Sequence, residues 1–216
     1  WLYLWGFSIQ PSEFIKPGFA VMAAWFFSVR CLDDHFPGYT LAGILYVFVA
    51  GLLLLQPDVG MTFVVSAIWG VQFFIAGLPL IFVVVIIFLI VGGSFGAYIT
   101  FSHVQVRVDR FLDPEVGVGY QVSRSLEAFR NGGWAGRGPG EGRVKEVLPD
   151  AHTDFIFAVA GEEFGLIVCL IILALFLFVI LRGISRVMRD EDLFALLAVA
   201  GLLVQFALQA LINTAS

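Results

Sequence analysis

Residues 59–106 read VGMTFVVSAIWGVQFFIAGLPLIFVVVIIFLIVGGSFGAYITFSHVQV, a run of 48 positions without a Lys, Arg, Asp or Glu. A helix crosses the hydrocarbon of a bilayer with about 20 apolar residues, so the run predicts two crossings, 59–76 and 78–101, divided at Gly77. Neither alternates with period two, and each is too long for a barrel strand. Helices are then the only spanning solution that satisfies the backbone in lipid.

Outside this run the same reading holds. The chain has 216 residues, 60% apolar and 13% charged, with a mean hydropathy of +0.95, against about 45–50% apolar and 25% charged in soluble domains. That excludes an ordinary cytosolic domain, a nucleic-acid binder and a disordered chain. Further spans are predicted at 13–29, 39–55, 155–181 and 193–213. The expected fold is an all-α polytopic membrane protein, a helical bundle of six transmembrane helices built as a single membrane domain over 1–216.

Charge is concentrated in one place: 15 of the 29 Lys, Arg, Asp and Glu residues fall between Arg107 and Asp154, which marks 102–154 as one large polar loop. The net charge of −5 says little about a chain held mostly in lipid. Cys31 and Cys169 have neither metal nor redox spacing. The run begins at Trp1 rather than Met and stops at Ser216 beside an apolar span, as expected of a fragment cut at both ends. Counting crossings puts the segments 30–38, 77 and 182–192 on one face, and 56–58 with the large loop on the other. Arg30, Arg182, Arg186 and Arg189 occupy the short loops, and long loops obey the positive-inside rule poorly. The short-loop face therefore leans cytoplasmic.

Ionisable groups at the edge of a span cost about 2.5–3.5 kcal/mol on insertion scales and point to a function with a named partner. Four places qualify. In Gln10-Pro11-Ser12-Glu13-Phe14-Ile15-Lys16, Pro11 and Ser12 suit a helix start, and Glu13 and Lys16 share a helical face, where they can neutralise each other as a structural ion pair. In Gln56-Pro57-Asp58-Val59-Gly60, Pro57 ends one helix and Asp58 can cap the next, or bind a cation or a substrate hydroxyl. In Ala151-His152-Thr153-Asp154, Asp154 is either a helix cap or a partly desolvated carboxylate suited to accept a proton. Glu162 and Glu163, adjacent within a span, point about 100° apart and require an Arg partner or a proton.

The loop also carries Gly132, Gly133, Gly136, Gly138, Gly140 and Gly142 interleaved with Arg137, Arg143 and Lys145. Glycines allow close backbone approach and cations hold phosphate oxygens, which suits a pyrophosphate-bearing ligand; a flexible polar linker is the alternative. No Gly-Lys-Ser/Thr follows, so this is not a Walker loop. Trp134 and Tyr120 argue against a merely solvated segment.

Taken together, Gln10-Pro11-Ser12-Glu13, Gln56-Pro57-Asp58-Val59-Gly60, the stretch from Gly119-Tyr120-Gln121 to Gly136-Arg137-Gly138-Pro139-Gly140, and Leu148-Pro149-Asp150-Ala151-His152-Thr153-Asp154-Phe155-Ile156-Phe157-Ala158 with Gly161-Glu162-Glu163-Phe164-Gly165 resemble the SEDS family (shape, elongation, division and sporulation). The likeness covers essentially the whole chain. The runs at 110–114 and 136–142 look most like the division member rather than the elongation member. The resemblance implies a peptidoglycan glycosyltransferase of the bacterial inner membrane, at the division septum, that polymerises lipid II and releases undecaprenyl pyrophosphate. It places the large loop outside the cytoplasm. It implies Asp154 as the essential aspartate and Glu13, Lys16 and Asp58 as site-shaping residues. Gln10, Gln56, His152, Arg137, Arg143 and Lys145 accompany them.

The chemistry implied is inverting: an acceptor hydroxyl displaces the α-linked pyrophosphate, with Asp154 as base, and loop cations, with a divalent cation as an option, offset the charge of the leaving group. Implied partners are lipid II, membrane lipids, and a class B penicillin-binding transpeptidase with other division proteins. The family's first spans and its last span are missing from this stretch. Two further readings compete: a lipid II flippase and a non-enzymatic division scaffold.

Overall fold

The computed structural model of the chain describes residues 2–4, 7–9, 11–56, 58–77, 118–142, 155–189 and 191–215, with scattered helical positions between 81 and 106. Two short strands, β1 (Leu2–Leu4) and β2 (Phe7–Ile9), precede helices α1 (Pro11–Leu32), α2 (Gly38–Leu55), α3 (Val59–Ile75), α4 (Val118–Gly132), α5 (Ile156–Val187) and α6 (Leu193–Ala215). The strands pair antiparallel, Leu2 opposite Ile9 and Leu4 opposite Phe7, in a hairpin that lies before the first predicted span.

Segments covering 13–32, Gly38–Leu55, Ile156–Val187 and Leu193–Thr214 are long and apolar enough to cross a membrane, and α3 is a shorter apolar helix. The helical membrane fold read from composition is the fold observed. Most of the predicted span 78–101 lies outside the described residues. Helix α5 runs past the predicted end at 181 to Val187; Arg182 and Arg186 are good helix formers and both are exposed. Its apolar side chains, among them Leu170, Ile171, Leu175 and Phe178, are more than half exposed, as suits a helix surrounded by lipid.

The chain forms two compact units, Trp1–Val83 with Val179–Gln209, and Val84–Phe178 with Ala210–Ser216. In the first, α1 buries Lys16, Phe19, Ala20, Ala23, Ala24 and Phe27, a stripe at helical spacing. Its alanines let neighbouring backbones approach, the usual device where lipid removes the hydrophobic drive for helix association. Helix α3 answers with Val64, Val65, Ile68, Trp69, Gln72 and Phe73, all buried. Polar groups tie the helices together. Trp69 Nε1 donates to the Ala42 carbonyl at 3.2 Å, Tyr46 and Ser66 share a hydroxyl hydrogen bond at 2.9 Å, and Gln72 Nε2 donates to the carbonyls of Ala20 (2.7 Å) and Leu197 (3.1 Å). Gly201 is required where α6 passes this amide, since a Cβ there would meet Gln72 Nε2.

In the second unit, the predicted polar loop contains helix α4. Its Ala128 and Phe129 pack on Phe155, Ala158 and Val159 at the start of α5. Gly132 and Gly161 allow the contact: a Cβ on Gly132 would strike the Gly161 carbonyl, and one on Gly161 would strike the Phe129 ring.

Helix α5 is not continuous. At Gly165 the backbone takes φ 80°, ψ 178°, a conformation open essentially to glycine alone. An unbroken helix would bond the Leu166 and Ile167 amides to the Glu162 and Glu163 carbonyls. Instead Leu166 N–H donates to Gly133 O (2.9 Å) and Ile167 N–H to Trp134 O (3.4 Å), while the two released carbonyls accept from Arg137 N–H (3.0 Å) and Gly138 N–H (3.0 Å). The glycine-rich segment thus fills the break and satisfies all four groups, a necessity where water is scarce.

Candidate functional site

Helix α1 starts at Pro11 and places Glu13 in its first turn. Lys16, one turn on, is buried at 1% side-chain exposure and pairs with Glu13 Oε2 at 2.7 Å, Glu13 being 41% exposed. The same carboxylate oxygen accepts from Gln209 Nε2 of α6 at 3.0 Å. Lys16 Nζ also donates to Met61 Sδ of α3 at 3.0 Å. The pair is therefore a three-helix junction.

Met61 links it to the next predicted site residue. Asp58 is the N-cap of α3 and accepts from the Met61 amide at 3.0 Å; Thr62 Oγ1 donates to the Asp58 carbonyl at 2.8 Å. A carboxylate there satisfies an orphan amide and offsets the positive end of the helix dipole beside a buried lysine. Glu13, Lys16 and Asp58, chosen from separate motifs, are thus connected through one methionine. Gln56 lies outside this junction, exposed at the end of α2. Met61 and Gln209 were not singled out by sequence; the available signal was an amide side chain in an otherwise apolar span.

In the second unit the structure relates Arg137 to Glu162. The Glu162 side chain is fully buried and pairs with Arg137 Nη1 at 3.6 Å, the arginine partner that an intramembrane carboxylate calls for. Gly142 closes in on the other side: a Cβ there would lie 3.0 Å from Glu162 Oε2 and 3.2 Å from Glu163 Oε1. Trp134 is exposed on the same loop. Gln10, Arg143, Lys145, His152 and Asp154 lie outside the described residues. Among the described residues no group of three His, Cys, Asp or Glu side chains is placed to hold a metal ion.

These features can be set beside known proteins. A probable peptidoglycan glycosyltransferase FtsW from Caulobacter vibrioides is 43% identical over 215 residues, covering 100% of this chain and 55% of its own. One from Trichlorobacter lovleyi is 34% identical over 232 residues, covering 100% of this chain and 58% of its own. The peptidoglycan glycosyltransferase RodA of Mycobacterium bovis is 35% identical over 97% of this chain and 48% of its own. The chain spans about half the length of the curated relatives it matches. Among solved structures, a chain from work on the structural coordination of polymerization and crosslinking by a peptidoglycan synthase complex superposes with a TM-score of 0.75. The two are 26% identical, over 99% of this chain and 60% of the other. The family model of the FtsW, RodA and SpoVE cell cycle proteins matches residues 1–216. With its multi-pass helical fold and with that match running from end to end, the chain belongs to the FtsW/RodA/SpoVE family.

Proposed function

We propose that the full-length protein is a peptidoglycan glycosyltransferase that polymerises lipid II during bacterial cell division, in the inner membrane at the septum. The observation that carries this reading is the match of the whole chain to relatives named as such glycosyltransferases; the ion pair between Glu13 and the buried Lys16 supports it.

The reaction is one inverting displacement. An acceptor hydroxyl oxygen forms a bond to the anomeric carbon of an α-linked donor, the bond from that carbon to the pyrophosphate oxygen breaks, and undecaprenyl pyrophosphate leaves with the electron pair. Asp154 accepts the hydroxyl proton, a role open to a carboxylate at the threshold of a span. Arg143 and Lys145 offset charge on the departing pyrophosphate. Glu13, Lys16 and Asp58 shape the site: their charges are spent on one another, on Gln209 and on a helix end, which leaves them as fixed walls rather than reactants. His152, Gln10 and Gln56 belong to the same motifs and complete the set of site-shaping residues. A class B penicillin-binding transpeptidase is the partner that crosslinks the product.

The test is polymerisation of lipid II by the full-length protein with its transpeptidase. Asp154→Asn is expected to abolish polymer while expression and complex formation persist. Normal polymer from this variant would remove Asp154 as base. Lipid II flipping without polymerisation by the wild type would establish a transporter instead, and a scaffold would tolerate Asp154→Asn in every assay.

A further inference from the structure

Glu162 has no role in the reaction as just described, yet its placement is demanding. It lies about 9 Å along α5 from Ile156, fully buried, where an ionised carboxylate persists only with a counter-charge. The counter-charge comes from a loop that is itself stitched into the helix break. Backbone hydrogen bonds tie the loop to α5 at Arg137 and Gly138, and Glu141 N–H donates back to the Gly138 carbonyl at 3.2 Å. Between them, Pro139 and Gly140 are exposed, and the chain returns to Gly142, which packs on Glu162 Oε2. The Glu162 carboxylate therefore sits at the neck of the loop, with Arg137 at its entry and Gly142 at its exit.

Arg137 is only 39% exposed and its guanidinium faces Glu162 at 3.6 Å, the distance of an ion pair rather than a hydrogen bond. Glycines make the fit possible. A Cβ on Gly136 would strike the Glu163 carbonyl, and one on Gly165 would strike the Gly136 amide, so neither strand of the contact can shift without losing the other.

We propose that Glu162 is a positioning residue for glycosyl transfer, acting through Arg137 to lock the 133–142 loop onto broken α5. The lock holds the first segment of α5, which begins two residues after Asp154 in the chain, against α4 and the loop. This inference rests on the glycosyltransferase reading. It also changes the expected role of Arg137 from a phosphate ligand to the counter-charge of the lock.

The experiment is a double-mutant cycle in the full-length protein, with lipid II as substrate: Arg137→Gln, Glu162→Gln, and both together. Each single substitution is expected to lower kcat about 10- to 100-fold, as small misplacements do, while KM stays within about threefold. The double variant should be no worse than the weaker single, because the two act as one unit. Glu162→Asp should recover part of the rate. Amide exchange at 137, 138, 166 and 167 should accelerate in both singles without loss of the folded complex.

Full kcat in Glu162→Gln, or additive losses with a raised KM for Arg137→Gln, would overturn the lock and return Arg137 to the substrate. Should Glu162→Gln fail to fold, Arg137→Gln on the partly exposed loop decides alone: wild-type kcat or unchanged exchange refutes the proposal. Wild-type protein that makes no polymer would overturn the glycosyltransferase reading and this role with it. Active wild type with active Glu162→Gln would overturn only the role.

Discussion

Removing the carboxylate of Glu13 should destabilise the bundle far more than removing the lysine it pairs with. The reason is the asymmetry of burial: Lys16 is 1% exposed and Glu13 is 41% exposed. Glu13→Gln leaves an ammonium inside the bundle facing Met61 Sδ, a weak acceptor, and a neutral amide. Stripping one partner from a buried pair costs about 3–5 kcal/mol. A glutamine oxygen can still accept from Lys16 and returns about 1 kcal/mol. The expected net loss is then about 2–4 kcal/mol, or at least about 30-fold in the folding equilibrium. Lys16→Met instead removes the buried charge and leaves a carboxylate that reaches water and keeps the Gln209 hydrogen bond. Its cost should stay near the 0–1 kcal/mol of exposed pairs. The double variant should resemble Lys16→Met. Reversible unfolding of the full-length protein in mixed micelles, followed by far-ultraviolet circular dichroism, gives the ordering. Equal losses from the two single variants, or additive losses in the double variant, would refute the burial argument.

Two further substitutions test the local geometry. Gly165→Ala puts a Cβ onto Gly136 N and Trp134 O on a backbone that only glycine adopts readily, so it should cost at least about 1–3 kcal/mol and speed amide exchange at Leu166 and Ile167; unchanged protection there would mean the loop does not hold the break. Asp58→Ala should lose about 1 kcal/mol of capping energy along with the charge–dipole term, whereas Asp58→Asn keeps the cap and gives up only the charge–dipole term, about 0.3–1 kcal/mol, so it should melt between the wild type and Asp58→Ala; if the two variants lose stability equally in a thermal melt, Asp58 is not in place to cap α3.

The large-scale fold was legible because its signal is redundant. Apolar runs of membrane length can be missed only if many residues conspire, and each described long apolar helix falls on such a run, charge-free in α2 and α6 and carrying a few charges in α1 and α5. Features inside one turn or one motif were legible too: Glu13 and Lys16 lie within four residues of each other, and Asp58 sits where a cap of the next helix is expected. Helix α4 was not read, since VGYQVSRSLEAFRNG is polar enough overall to pass for the loop around it; its apolar residues do recur at helical spacing, and the face they form packs on Phe155 and Ala158. The hairpin at 2–9 rests on strands of three residues, too short to show a period.

The break in α5 marks the limit of local reading most clearly. GEEFGL within an apolar run reads as uninterrupted helix, and glycine is common in membrane helices. What breaks the helix there is a set of partners from another segment: Gly133 and Trp134 offer carbonyls to the amides that lose theirs, and Arg137 and Gly138 offer amides to the freed carbonyls. Neither segment is complete alone, since an opened membrane helix would leave four polar groups unsatisfied and a loop made of glycines has no reason to hold a shape. The glycines of 132–142 and those at 161 and 165 are therefore one feature, recorded in two places in the chain. Glu162 stands between them because a fully buried carboxylate needs the arginine that the loop delivers. The flexible polar linker suggested by composition is thereby excluded for 133–138, and the charge at Arg137 is already engaged before any substrate arrives.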